Sequence, residues 1–194
     1  MNINSKIIFF IISLLALITG CSSDSWKLTS VKQALQTHGG SGLGETSYSC
    51  PEQHVLAGIT VNSSNFLNSI TFLCRPFNED GSIGTETVSG EKLGGIGGSS
   101  SGEKLCGENK MVNGYSGRSG SWLDKIGFHC GTISEVAEGT SSEALGEWGG
   151  NGGGSFGDDP IYCPASHVIT GAKITPFGTY VGKLQFICSK IEKV

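Results

Sequence analysis

Six cysteines constrain this chain more than any other feature. Cys50, Cys74, Cys106, Cys130, Cys163 and Cys188 fall into three pairs, spaced 24, 24 and 25 residues apart, and the pairs begin 56 and 57 residues after one another. Spacing this regular marks three copies of one unit. It favours pairing within each unit, Cys50–Cys74, Cys106–Cys130 and Cys163–Cys188, over the other connectivities that six cysteines allow. A loop of this size contributes roughly 3 kcal/mol when bridged. No C-x-x-C or H-x-x-x-H spacing occurs, so a zinc site is disfavoured, and no metal or cofactor is expected.

The repeat extends well beyond the cysteines. Eight residues after each first cysteine stands a glycine, Gly58, Gly114 or Gly171, closing the phrases VLAG, MVNG and VITG. Each second cysteine ends an alternating run: Ile70–Cys74, Ile126–Cys130 and Leu184–Cys188. A glycine-rich stretch precedes each unit, beginning at His38, Leu93 and Glu147. A unit therefore reads as glycine loop, strand, turn, strand. Two strands that leave and return bring their sulfurs within bonding reach. With 31 glycines in 194 residues, period-two runs and no convincing helical period, the chain is expected to be all-β. The stretch 132–147 is read as a link between units two and three rather than as helix. Units of this size are too small to bury separate cores, so one domain over 37–194 is expected, with repeats at about 37–77, 93–131 and 147–190.

The beginning of the chain indicates export. Lys6 precedes an apolar run from Ile7 to Ile18, too short for a transmembrane helix and suited to a secretory leader. The run ends in Ile18-Thr19-Gly20-Cys21, which resembles a bacterial lipobox. The resemblance implies removal of residues 1–20, lipidation of Cys21 and a tether over 21–36. Ser22 after the cysteine is similar to an outer-membrane sorting pattern. An exported chain also suits disulfides. The net charge of −4, with no basic cluster, argues against nucleic acid or anionic lipid as a partner.

Two stretches resemble jacalin-related lectins. Gly117–His129, GRSGSWLDKIGFH, is similar to the closing segment of many plant members, and Trp148–Asp159, WGGNGGGSFGDD, to their opening segment. The cysteine pair in each repeat looks more like vitelline membrane outer layer proteins. The resemblance implies a β-prism of three Greek-key repeats around a pseudo-threefold axis. In that family the sugar lies between a glycine loop and a G-x-x-x-D loop from consecutive units. Here the loop of unit two is then expected beside the glycine loop of unit three, an arrangement resembling a circular permutation of the lectin.

The chemistry of these residues suits that role. Ionised Asp124 only accepts hydrogen bonds, and it takes two sugar hydroxyl protons at once. The resemblance implies donation from the backbone N–H groups of Ser121 and Trp122, in the turn that Gly120 opens; Gly149, Gly150 and Asn151 close the other side, where missing side chains let a ring approach the backbone, and Trp122 offers an apolar face to the sugar ring. No free chain terminus lies at the site, which in this family goes with mannose or glucose rather than galactose. Unit one carries Asn68 in place of the aspartate, a weaker second candidate, and unit three has Gly178–Gly182 with no carboxylate.

Each of these residues also has a purely structural reading. Asp124 equally suits a turn cap. Trp122 is placed on an exposed loop, yet its counterparts Phe66 and Tyr180 also fit a packing role for the aromatic. Asp158 and Asp159 with Asn151 suggest calcium less well than a turn entering a strand. His54 and His167 match Lys110 in the repeat, His129 matches Leu73 and Ile187, and no nucleophile–base set stands out, so catalysis is not expected. The expected function is glycan binding by a lipid-anchored, outer-membrane envelope protein. The alternative is a structural or protein-binding prism without sugar affinity.

Overall fold

The computed structural model describes residues 25–194. Cys21, expected to be lipidated, and residues 1–20, expected as a leader, lie outside the described residues. Three antiparallel hairpins form the frame: β4 (His54–Ser63) with β5 (Leu67–Pro76), β8 (Met111–Ser119) with β9 (Leu123–Gly131), and β13 (His167–Phe177) with β14 (Tyr180–Lys193). The disulfides join Cys50 to Cys74, Cys106 to Cys130 and Cys163 to Cys188, as the spacing predicts.

Each hairpin is completed by the glycine-rich segment that comes after it. β6 (Val88–Gly94) and β7 (Ser99–Leu105) flank the first in the order β6-β5-β4-β7. β10 (Glu143–Gly149) and the short β11 (Gly154–Ser155) and β12 (Ile161–Tyr162) flank the second. A fourth strand returning beside the first is the Greek-key pattern. The third sheet reaches the same order only by joining the chain ends: β1 (Trp26–Ala34) lies on β14, β3 (Thr46–Ser49) on β13, and β2 (His38–Gly39) also on β14. Residues 26–34, expected as tether, are therefore a sheet strand, which closes the β14 edge of the hairpin at the C-terminus.

The repeated glycine has a steric cause. The register slips at Gly58, Gly114 and Gly171, and the returning strand passes close over the backbone there. A Cβ would lie 2.3 Å from the Lys104 carbonyl oxygen at Gly58 and 2.4 Å from that of Tyr48 at Gly171. Inside the prism the three sheets bury one shared core that includes Phe72, Tyr115, Phe128 and Phe186.

One end, the base, is plugged by Val55, Met111 and Val168 with Phe77, Ile83, Val136 and Ile191. Here the link between units two and three departs from expectation: Ile133–Glu138 form a short helix, α1. Thr132-Ile133-Ser134-Glu135 is a capping box, in which Glu135 Oε2 accepts from the Thr132 N–H at 2.7 Å, and Gly139 closes the helix in the left-handed region. The hairpin turns occupy the opposite end, the tip.

Candidate functional site

Three hairpin turns meet at the tip, and the aromatic in the middle of each points to the axis. Phe66, Trp122 and Tyr180 form a triangle with ring centroids 5.0–5.9 Å apart. Trp122 also stacks on Phe177 at 5.7 Å. The indole is thus half-buried in a packing cluster rather than exposed on a loop. Its Nε1 is buried and, among the described residues, without a hydrogen-bond partner.

Each turn faces the glycine segment of its own sheet. Gly39, Gly94 and Gly149 all have positive φ, and a Cβ on them would fall 2.1, 2.7 and 2.0 Å from the carbonyl oxygens of Gly182, Asn68 and Asp124 respectively. Glycine is obligatory there both for conformation and for the backbone contact. The loop of unit two does lie beside the glycine loop of unit three: Gly150 N–H donates to the Asp124 carbonyl oxygen at 2.9 Å. Gly150 also packs against the neighbouring tip, where a Cβ would sit 2.4 Å from the Asn65 carbonyl oxygen. Asn151 follows, exposed.

The equivalent turns differ in what their polar groups do. Asn68 is 3% exposed and fully used by the protein. Its Oδ1 accepts from Ser64 Oγ, and its Nδ2 donates to the carbonyls of Ile96 and Thr179. Asp124 is 5% exposed, and its Oδ2 accepts from the Gly120 N–H at 3.0 Å, so the capping role is real. Among the described residues Oδ1 accepts no hydrogen bond, and the N–H groups of Ser121 and Trp122 donate none. Gly152 and Gly153 wall the carboxylate: a Cβ on either would fall 2.3 Å from Oδ1 or 2.6 Å from Oδ2.

Arg118 was not anticipated from sequence. Its Nε and Nη2 donate to the carbonyls of Gly152 and Gly153 at 2.9 and 2.7 Å, pinning the glycine loop against the turn. An arginine on a strand carries no signal of such a role until the loop is folded back. The carbonyl oxygen of Ser121, in turn, accepts from the N–H groups of Gly40 and Ser41 of the first glycine loop. The turn is therefore held from both sides.

The remaining candidates do not gather into a second centre. His54 and His167 each place Nδ1 on the carbonyl oxygen two residues earlier, Glu52 and Ala165, in matching positions. His129 Nε2 lies 3.2 Å from Ser116 Oγ, and burial chiefly lowers its pKa, with Asp159 and Glu147 opposing. Asp158 and Asp159 are exposed, and among the described residues no group of three or more His, Cys, Asp or Glu side chains is placed to hold a metal ion.

No family model matches the chain, and no curated protein matches it. Solved structures do resemble it. Malaysian banana lectin is 14% identical with a TM-score of 0.60, over 82% of this chain and 99% of that one. A mannose-binding jacalin-related lectin from Ananas comosus is 16% identical with a TM-score of 0.57, over 82% and 98%. Calystegia sepium agglutinin is 20% identical with a TM-score of 0.54, over 86% and 99%. Three Greek-key sheets around one axis, with a disulfide in each repeat, make this chain a jacalin-like β-prism.

Proposed function

We propose that the chain is a carbohydrate-binding protein whose one main site is the Asp124 turn, with Gly120, Ser121 and Trp122 on one side and Gly149, Gly150 and Asn151 on the other. One observation carries the reading. Of the three equivalent turns, only that of unit two combines a carboxylate oxygen and neighbouring backbone N–H groups that no described residue uses, beside a loop stripped of side chains. One fixed acceptor and adjacent donors are what vicinal sugar hydroxyls require. Trp122 belongs to the site through its backbone, while its ring holds the axis. Mannose- or glucose-type glycans are the proposed class, supported by the mannose-binding pineapple lectin among the structural neighbours. The role is binding without catalysis.

We further propose anchoring at the cell envelope through lipidated Cys21, in the outer membrane. Ser25 exchanges hydrogen bonds with Val194 at the base, four residues from Cys21, a reach of no more than about 14 Å. β14 then runs from the base back to the tip, about 40 Å at the usual rise. An anchored prism stands on its base and presents the Asp124 turn away from the bilayer.

A glycan array probed with residues 22–194, disulfides formed, alongside Asp124→Ala tests the site. Binding by the parent that disappears in the folded variant supports it, and equal binding by both moves the site to another repeat. Binding by neither leaves Asp124 as a cap and favours a structural or protein-binding prism.

A further inference from the structure

His38 occupies a place that the other repeats fill with larger or purely apolar side chains. It precedes Gly39 as Leu93 precedes Gly94 and Trp148 precedes Gly149, and it pairs with Leu184 as those residues pair with Ile70 and Ile126. Leu93 is buried in the core, and His38 itself is 5% exposed. Its ring lies on Phe156 with centroids 3.8 Å apart and planes at 22°. Nε2 is 3.2 Å from the Tyr115 hydroxyl, and among the described residues Nδ1 has no partner.

Both walls of the Asp124 turn are tied to this ring. Immediately after His38-Gly39, the N–H groups of Gly40 and Ser41 donate to the Ser121 carbonyl oxygen at 3.2 and 2.9 Å. Phe156 ends the third glycine loop, and its N–H donates to the Gly117 carbonyl oxygen at 3.1 Å. Three repeats thus meet at one imidazole: β2 carries it, β8 supplies Tyr115, and the segment after β11 supplies Phe156.

A proton on this ring has no good place to reside. It creates a second N–H where, among the described residues, the Tyr115 hydroxyl is the one protein group within hydrogen-bond reach, and a charge on a ring that is 5% exposed with no described carboxylate contributing. The elements packed on His38 contribute Tyr115, Phe156 and the Leu184 backbone; the Tyr115 hydroxyl, its own pKa raised by burial, stays neutral. A cation over the Phe156 face recovers only a fraction of what desolvation costs. Burial correspondingly lowers the imidazole pKa below its ordinary 6.5, with no charged group contributing. The stabilisation from the neutral ring is complete above 6.5 and is lost as the pH falls below that value.

We propose that His38 is a proton-operated clasp: when its imidazole gains a proton, the glycine loops on both sides of the Asp124 turn loosen and glycan affinity falls. The fall in affinity rests on the carbohydrate reading of the site, whereas the loosening of the loops stands without it.

The test uses residues 22–194, which retain every described element, at about pH 7.5 and about pH 5. Affinity for an immobilised mannosylated carrier protein is measured alongside amide hydrogen exchange without ligand at Gly40, Ser41 and 150–156, corrected for intrinsic rates. The parent is expected to lose at least about fivefold in affinity on acidification, the low end of coupling between sites, and to exchange faster at those amides. His38→Leu, which installs the residue of repeat two, holds both readouts flat, as does His38→Gln should the leucine variant fold poorly. His129→Leu, in the neighbouring sheet, follows the parent. Loop exchange in the parent that does not change with pH, or a His38 variant that keeps the parent's response, overturns the clasp. No carrier binding at either pH defeats the carbohydrate reading alone, and the exchange measurement still decides the clasp.

Discussion

Asn68 and Asp124 stand at the same position of successive repeats, each with its backbone carbonyl oxygen beside a positive-φ glycine, yet their side chains are used differently. The amide of Asn68 is held at both ends, by Ser64 and by the carbonyls of Ile96 and Thr179. The carboxylate of Asp124 caps Gly120 with one oxygen and, among the described residues, leaves the other without a donor. A single difference in side-chain chemistry thus separates a closed turn from one with binding capacity to spare.

Asp124→Ala removes both the cap and the proposed sugar acceptor. Losing a hydrogen bond to a charged group costs about 1.5–3 kcal/mol, so glycan affinity should fall roughly ten- to hundredfold. Urea unfolding should show a smaller loss of stability, about 1 kcal/mol, because the Gly120 N–H lies in an exposed turn where water replaces the cap. Asn68→Ala, by contrast, should leave glycan binding intact and lower stability.

Three glycines of one loop should respond differently to alanine. Gly149→Ala places a Cβ 2.0 Å from the Asp124 carbonyl oxygen at a φ of +116° and should destabilise the sheet edge by several kcal/mol, about 2–4. Gly152→Ala has no positive φ, but its Cβ would meet Asp124 Oδ1 at 2.3 Å, so glycan binding should be lost ahead of the fold. At Gly154 nothing lies within 4 Å, and its alanine variant should behave as the parent in both titration calorimetry and thermal unfolding.

Trp122→Phe keeps an aromatic in the axial triangle and deletes an N–H that is buried and, among the described residues, without a partner. An unsatisfied buried donor costs about 1–3 kcal/mol, which offsets the smaller area of the phenyl ring, so the midpoint of thermal unfolding should hold or rise. Trp122→Ala empties the axis and should cost about 2 kcal/mol or more. Retained glycan binding by the phenylalanine variant would show that the ligand relies on the backbone of this residue and not on its indole.

Reduction of the disulfides should cost roughly 3 kcal/mol for each bridge. Replacing Cys106 and Cys130 together by alanine isolates the contribution of the repeat that carries the site. Equilibrium unfolding should show that loss without a change in the topology-sensitive circular dichroism below the transition.

Stability should also fall on mild acidification. His38 and His129 both have pKa values lowered chiefly by burial, so the unfolded chain binds more protons than the folded one just below pH 6.5. Stability is therefore greatest above that value and declines as the pH drops through it. Urea midpoints across this window, compared between the parent and His38→Leu, measure the share of His38.

Much of this was legible in the residues alone. Cysteines spaced 24, 24 and 25 apart determined three disulfide-closed hairpins, because a hairpin returns its ends to one place whatever surrounds it. The glycines at 58, 114 and 171 recorded a close approach of the adjoining strand in each unit, through a carbonyl oxygen at Gly58 and Gly171 and through the Tyr162 ring at Gly114. The capping box at Thr132–Glu135 was also present in the sequence, but so short a helix has no period to betray it. The rest required the fold. Residues 26–34 became a strand only because the third Greek key borrows from the other end of the chain. His38 became a buried clasp because closure carries it onto Phe156 and Tyr115, more than seventy residues away in sequence. Arg118 and the glycine loop it pins, and the carboxylate oxygen of Asp124 that no described residue claims, depend on which backbone groups the neighbouring loops have already used. Local pattern encodes how a segment bends; only tertiary packing decides which polar groups are left over for a ligand.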